Sequence, residues 1–221
     1  MSTTRVTSPP KSPARTAATR DPEGTKAAIL AAAVKEFTEK GFGGARVDAI
    51  AQHANINKRM LYHYFGGKEA LYIEVLESIY GAIRKAEIAL DLGHKDPGDA
   101  IRALVLFTWQ YYLDHPEFLS LLGTENLLRA KYLKRSPSIA AVNSPLMAVL
   151  QDVLDRGART GQFRAGLDAL DVYLSIAGLG FFYLSNRWTL ATVFRRDLMA
   201  KAEVTRWGEH IVDTILASVA I

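Results

Sequence analysis

The chain has 221 residues, enough to bury a substantial core as one large domain or two small ones, with nearly half of them apolar and under a quarter charged. It contains no cysteine, which excludes disulfide staples, thiolate nucleophiles and cysteine-ligated zinc and fits a reducing, cytoplasmic setting. The net charge of +4 is unevenly spread, with a balance of +6 over residues 1–68 and −2 over residues 69–221, as expected if the first third meets a polyanion.

Residues 1–20 are rich in Ser, Thr, Pro, Ala and Arg and contain no acid. Pro9, Pro10 and Pro13 oppose an amphipathic helix, so a disordered basic tail is expected, its Arg5, Lys11, Arg15 and Arg20 adding attraction to phosphates. The stretch lacks the apolar core of a secretory signal. Apolar runs elsewhere fall short of the roughly 20 residues that a spanning helix needs, so no membrane partner is expected.

Beyond the tail, apolar residues recur at three- and four-residue steps, and the fold class is all-α. Asp21 and Pro22 form a cap and first helical position, after which Ile29, Ala32, Ala33 and Phe37 share one stripe until Gly41 ends the helix. A short second helix carries Val47, Ile50, Ala51 and Ala54 on one face. The turn that follows contains Asn55, the residue after glycine that best tolerates positive φ.

Next comes "INKRMLYHYFGGKEAL", residues 56–71. Asn57 is a good N-cap. Counting from it, Leu61, Tyr64 and Phe65 fall on one face, able to bury against Ile29, Phe37, Ile50 and Ala51. Lys58, Arg59, Tyr62 and His63 fall on the opposite face as cation, cation, phenol and imidazole, all able to donate to phosphate oxygens or base edges. Three short helices with a tight turn make a helix-turn-helix unit whose third helix enters a major groove.

Residues 25–71 resemble the DNA-binding region of the tetracycline-repressor (TetR) family. The family's Gly-aromatic pair stands here as Gly41-Phe42 and its Ile-Ala as Ile50-Ala51. Its Leu-Tyr-x-x-Phe is Leu61, Tyr62 and Phe65, and its Lys-Glu-x-Leu is Lys68, Glu69 and Leu71. The resemblance implies that Tyr62 and Lys68 contact phosphates and that the start of the third helix reads bases. Three positions depart from the pattern. Ala45-Arg46 replaces the hydroxyl pair that opens the second helix, Arg46 substituting a charge for the missing contact. Asn55 replaces the turn glycine, and Arg59 and Met60 replace small residues, suited to a guanine edge and a thymine methyl.

A long helix is expected from about residue 68 to about 90, then helices from 97 to near 114, at 117–134, 144–160, 167–190 and 204–220. The breaks are set at "SPS" (136–138), "SP" (144–145), residues 160–166 and the region after Phe194. The resemblance implies that residues 72–221 form a ligand-binding and dimerising helical domain, after a DNA-binding domain at 21–71. These helices are also similar to the branch of the family that contains the pyrimidine-utilisation regulator. Candidate ligand contacts are the aromatics Trp109, Tyr112 and Tyr183 and the polar residues Glu125, Asn126 and Asn186 within apolar helices. Ala177, Gly178 and Gly180 suit close helix approach, making the 167–190 helix with the final helix a candidate two-fold interface.

An enzyme is the first rival. The five histidines are scattered with no metal-binding spacing, there is no Gly-x-Ser-x-Gly, and pairs such as Glu36-Glu39 and Asp168-Asp171 read as solvated faces. No catalytic residue, metal site or cofactor is expected. A helical adaptor or small-molecule-binding protein without DNA function is the second rival, and it leaves the basic, turn-linked first third without a purpose. The expected function is a homodimeric, ligand-responsive transcriptional regulator, a repressor by family resemblance. Its partners are a double-stranded DNA operator and a small-molecule effector.

Overall fold

The computed structural model describes residues 21–221, apart from the side chains of residues 140–144. The basic tail at 1–20 lies outside the described residues. Among the described residues ten α-helices follow one another: α1 (Pro22–Gly44), α2 (Val47–His53), α3 (Lys58–Phe65), α4 (Lys68–Ile88), α5 (Pro97–Asp114), α6 (Pro116–Leu127), α7 (Ile139–Arg159), α8 (Ala169–Ser185), α9 (Arg187–Phe194) and α10 (Lys201–Val219). Their only extended pairing among the described residues is a single bridge between Phe163 and Ala220.

Local chemistry explains most of the ends. The Asp21 carboxylate accepts from the Glu23 N–H at 3.1 Å ahead of Pro22, and Asp96 accepts from Gly98 at 3.0 Å ahead of Pro97. Asp168 starts α8 in the same way, accepting from Leu170 at 2.7 Å. Gly41 breaks the regular path of α1 at φ 61°, ψ 177°, a region open essentially to glycine alone, and one irregular turn carries the chain to Gly44.

Three boundaries differ from the sequence-based expectation. The helix expected at 117–134 stops at Leu127, because Arg129 and Ala130 both take φ of 56°. The chain is held there by the buried Glu125 carboxylate, which accepts from the N–H groups of Tyr132 and Leu133 at 3.1 and 3.0 Å. The helix expected from Ser144 begins instead at Ile139 and runs through Pro145. Its first turn is anchored from outside: the hydroxyls of Ser136 and Ser138 both donate to Glu77 of α4, at 2.6 and 2.9 Å. The helix expected at 167–190 is two helices parted at Asn186, whose amide donates to Phe182 O at 2.9 Å and so serves the end of α8.

Helices α1 to α3 enclose Ile29, Phe37, Ile50 and Leu61, all inaccessible to solvent. Helix α4 leaves this unit and packs on α1 and then on α7, while α1 also lies against α6. In the remaining helices α5 is central, touching α4, α6, α7, α8 and α10. Two glycines make its packing close: a Cβ on Gly208 of α10 would lie 2.8 Å from Trp109 Cδ1, and one on Gly180 of α8 would lie 3.2 Å from Tyr112 Cδ2.

Candidate nucleic-acid interface and internal pocket

The turn between α2 and α3 is closed by Asn55 at φ 54°, and Asn57 caps α3 by accepting from the Met60 N–H at 2.9 Å. That cap fixes the rotation of α3. Leu61 and Phe65 are buried and Tyr64 half-buried, while Lys58, Arg59, Tyr62 and His63 are exposed along the outer face. Met60 is half-buried, beside a hollow it shares with Thr25, Gln52, Asn55 and Asn57. Thr25 and Gln52 gave no signal in the sequence, since each is an ordinary polar residue until α1 and α2 bring them next to Met60.

The cations are not equivalent. Lys58 Nζ is 2.9 Å from Asp48 of α2, whose hydrogen bond raises the lysine pKa. Arg46 is exposed and precedes α2 without capping it by side chain. Its backbone N–H instead donates to Glu36 Oε1 at 3.0 Å, and both Glu36 oxygens also accept from Lys40 at 2.9 Å. Glu36 is therefore buried, at 1 % exposure, rather than part of a solvated face. Burial pushes its carboxyl up, but the bonds from Lys40 and Arg46 outweigh that and hold it below the ordinary range.

Gly66 ends α3 at φ 74°, and α4 begins at once with Lys68 and no side-chain cap. The free N–H groups of this first turn, Lys68 and the adjacent Tyr62 ring form a place suited to an anion. Lys68 Nζ rests 4.7 Å above the Phe42 ring, and partial burial lowers its pKa.

The ligand candidates do not converge. Trp109 lies edge-on to Tyr183 at 5.6 Å, and Tyr183 stacks on Trp207 and donates its hydroxyl to Leu198 O at 2.8 Å, within the packing of α5, α8 and α10. Glu125 is buried beneath the turn after α6, next to Tyr72, whose phenol burial pushes up. Asn126 is exposed and bonds back to Leu122 O at 3.0 Å, and Asn186 serves the end of α8. Tyr112, by contrast, lines a cavity of about 380 Å³ that opens to the surface beside the exposed Leu170 and Leu174, with residues from α4, α6, α7 and α8, among them Tyr80, Arg84, Phe118, Met147 and Tyr173.

Two of those residues, Tyr80 and Arg84, went unrecognised in the sequence, as did Glu87, which pairs with Arg84 but does not line this cavity. Tyr80, Arg84 and Glu87 stand at i, i+4 and i+7 and prolong the buried stripe of Leu76, Ile79 and Ile83 along α4. Two charges continuing an apolar stripe were the available signal. Arg84 donates through Nη1 to Glu87 Oε2 and through Nη2 to Tyr173 Oη at 2.6 Å. Both Arg84 and Glu87 are buried, and burial pushes the Glu87 carboxyl up to about 7 against the opposing pull of Arg84. Tyr80 is pushed up to about 12 by the same cause, so its phenol is neutral.

Comparison with known proteins gives two family matches. Residues 29–75 match the family described as bacterial regulatory proteins, tetR family, and residues 97–215 match the tetracyclin repressor-like C-terminal domain. The chain is 42 % identical over 192 residues to the HTH-type transcriptional repressor NicS of Pseudomonas putida, spanning 87 % of this chain and 91 % of that one. It is 36 % identical over 108 residues to the HTH-type transcriptional regulator RutR of Escherichia coli, about half of each chain. The crystal structure of the transcriptional regulator SCO4942 from Streptomyces coelicolor superposes with a TM-score of 0.63 at 25 % identity, covering 88 % of this chain and 98 % of that one.

Proposed function

This chain belongs to the tetR family of bacterial regulatory proteins, and from that premise we propose that it is a ligand-responsive repressor that binds a pseudo-palindromic operator as a homodimer. Residues 21–71 are the reader and residues 72–221 the ligand-binding and dimerising body. Arg59 and Met60 face base edges with His63 beside them, while Arg46, Asn57, Lys58, Tyr62 and Lys68 hold the backbone. In the body, the Tyr112 side of the cavity takes the effector. Trp109 and Tyr183 support that wall, and Glu125, Asn126 and Asn186 act through the turns they hold.

The observation that carries this reading is the run of α4. One helix bears Lys68 beside the reading helix and Arg84 in the cavity wall, about 24 Å apart at 1.5 Å per residue. A second route runs through α6, whose Phe118 and Leu122 line the cavity while Ser120 donates to Thr38 O of α1 at 3.0 Å. An effector that fits one placement of α4 and α6 better than the other shifts the population and changes DNA affinity. The test is a footprint on DNA flanking the protein's own gene across a salt series. A protected, two-fold symmetric site with salt-dependent affinity is the expected result. No footprint and no salt-dependent binding would sink the proposal.

A further inference from the structure

Arg84 is 5 % exposed, in the wall of a cavity otherwise made of rings and alkyl groups. A guanidinium has five N–H donors in a planar fork. Here Nη1 serves Glu87, Nη2 serves Tyr173, and Nε has no partner. A buried cation is costly unless it is fully paired, and Glu87 pairs it only in part. The acid uses one oxygen, its Oε1 is without a partner, and it also borders a separate hollow beside Pro145 and Leu146. Its raised pKa leaves the pair incompletely ionised near neutrality.

The walls narrow the choice further. Tyr80, Tyr112, Phe118 and Tyr173 present rings from four helices, a lining that favours a flat apolar body. The Tyr80 and Tyr112 hydroxyls form no hydrogen bond among the described residues, so polar ring substituents can be accommodated. About 380 Å³ stands near the lower end of ligand pockets, room for one or two rings rather than a long acyl chain. Resting on the regulator reading above, we propose that the effector is a small planar aromatic carboxylate whose carboxylate engages the Arg84 guanidinium through its N–H donors that Glu87 and Tyr173 leave unused. The fork geometry of arginine matches the two oxygens of a carboxylate, and the ring stacks among the tyrosines.

The experiment is isothermal titration of the full-length protein with benzoate and 4-hydroxybenzoate, set against the neutral isostere benzamide. Benzoates binding about tenfold or more tightly than benzamide is the expected outcome, the difference being the charge-assisted bonds to Arg84. Arg84→Met alone would strand Glu87, so the matching variant is Arg84→Met with Glu87→Gln, which should lose the preference for the acid. Arg84→Lys keeps the charge without the fork and should weaken benzoate binding in a protein that still folds. Benzamide binding as well as benzoate overturns the proposal. So does unchanged benzoate affinity in either variant, or no binding of either benzoate at millimolar concentration. A parallel gel shift on the flanking DNA separates the two readings. DNA binding without benzoate binding leaves the regulator and removes this ligand class, and benzoate binding without DNA binding does the reverse.

Discussion

Arg59 is an exposed cation and Lys68 a half-buried one, and they are held differently. Lys68 is pinned above Phe42 at an uncapped helix start, a fixed position suited to a phosphate at any sequence. Replacing it with Ala should weaken binding to all DNA and reduce the salt slope by about one unit, read from affinities across a salt series. Arg59 should behave otherwise, its loss relaxing preference at one base position in a selection experiment. Glu87 makes a prediction of the opposite kind, about stability. Its pKa of about 7 in the folded chain lies above its ordinary 4.5, so the folded state binds more protons between those values. Stability therefore declines as pH rises through that window. Arg84 on the same helix faces it, and Asp91 and His94 border the hollow on its other side. Urea unfolding from pH 5 to pH 8 should show a shallower decline in Glu87→Gln than in the parent.

At the scale of elements, close approach decides what can change. Gly208 of α10 meets Trp109 of α5 with no room for a Cβ, so Gly208→Ala should destabilise by about 1–3 kcal/mol, although alanine is the better helix former. Thermal unfolding checks this, and a raised melting temperature would contradict it. The reading helix obeys local rules instead. Its cap at Asn57, its left-handed turn at Asn55 and its end at Gly66 need only neighbouring backbone groups, and each was legible in the sequence or follows from one glycine. The end of α6 was not legible. It has neither glycine nor proline, and Glu125 imposes it from within the core.

At the scale of the molecule, α8 exposes Leu170, Leu174 and Phe182 at 53, 56 and 60 %. Apolar residues spaced along one helix surface are what a two-fold partner would cover. The sequence pointed to this helix for its small residues. Gly178 does leave open space, whereas Gly180 is spent on packing against Tyr112 within the chain. For the proposed homodimer, Leu174→Glu should give a monomer by light scattering and lower operator affinity steeply, with the melting temperature of the monomer little changed. Retention of the dimer would place the interface elsewhere.

By itself the sequence determined the helical class, the helix-turn-helix with its exposed face, and the family likeness. Each of these rests on periodicity, on backbone dihedral preference, or on a side chain bonding to its own neighbourhood. Tertiary structure alone decided the rest. Glu36 reaches Arg46 across ten positions, and Arg84 meets Tyr173 across 89. Glu125, Asn126 and Asn186 look alike in the sequence as polar residues in apolar helices, but packing sends them to three different places. Which buried charge faces a cavity depends on how helices far apart in the chain come together, and no local pattern encodes that meeting.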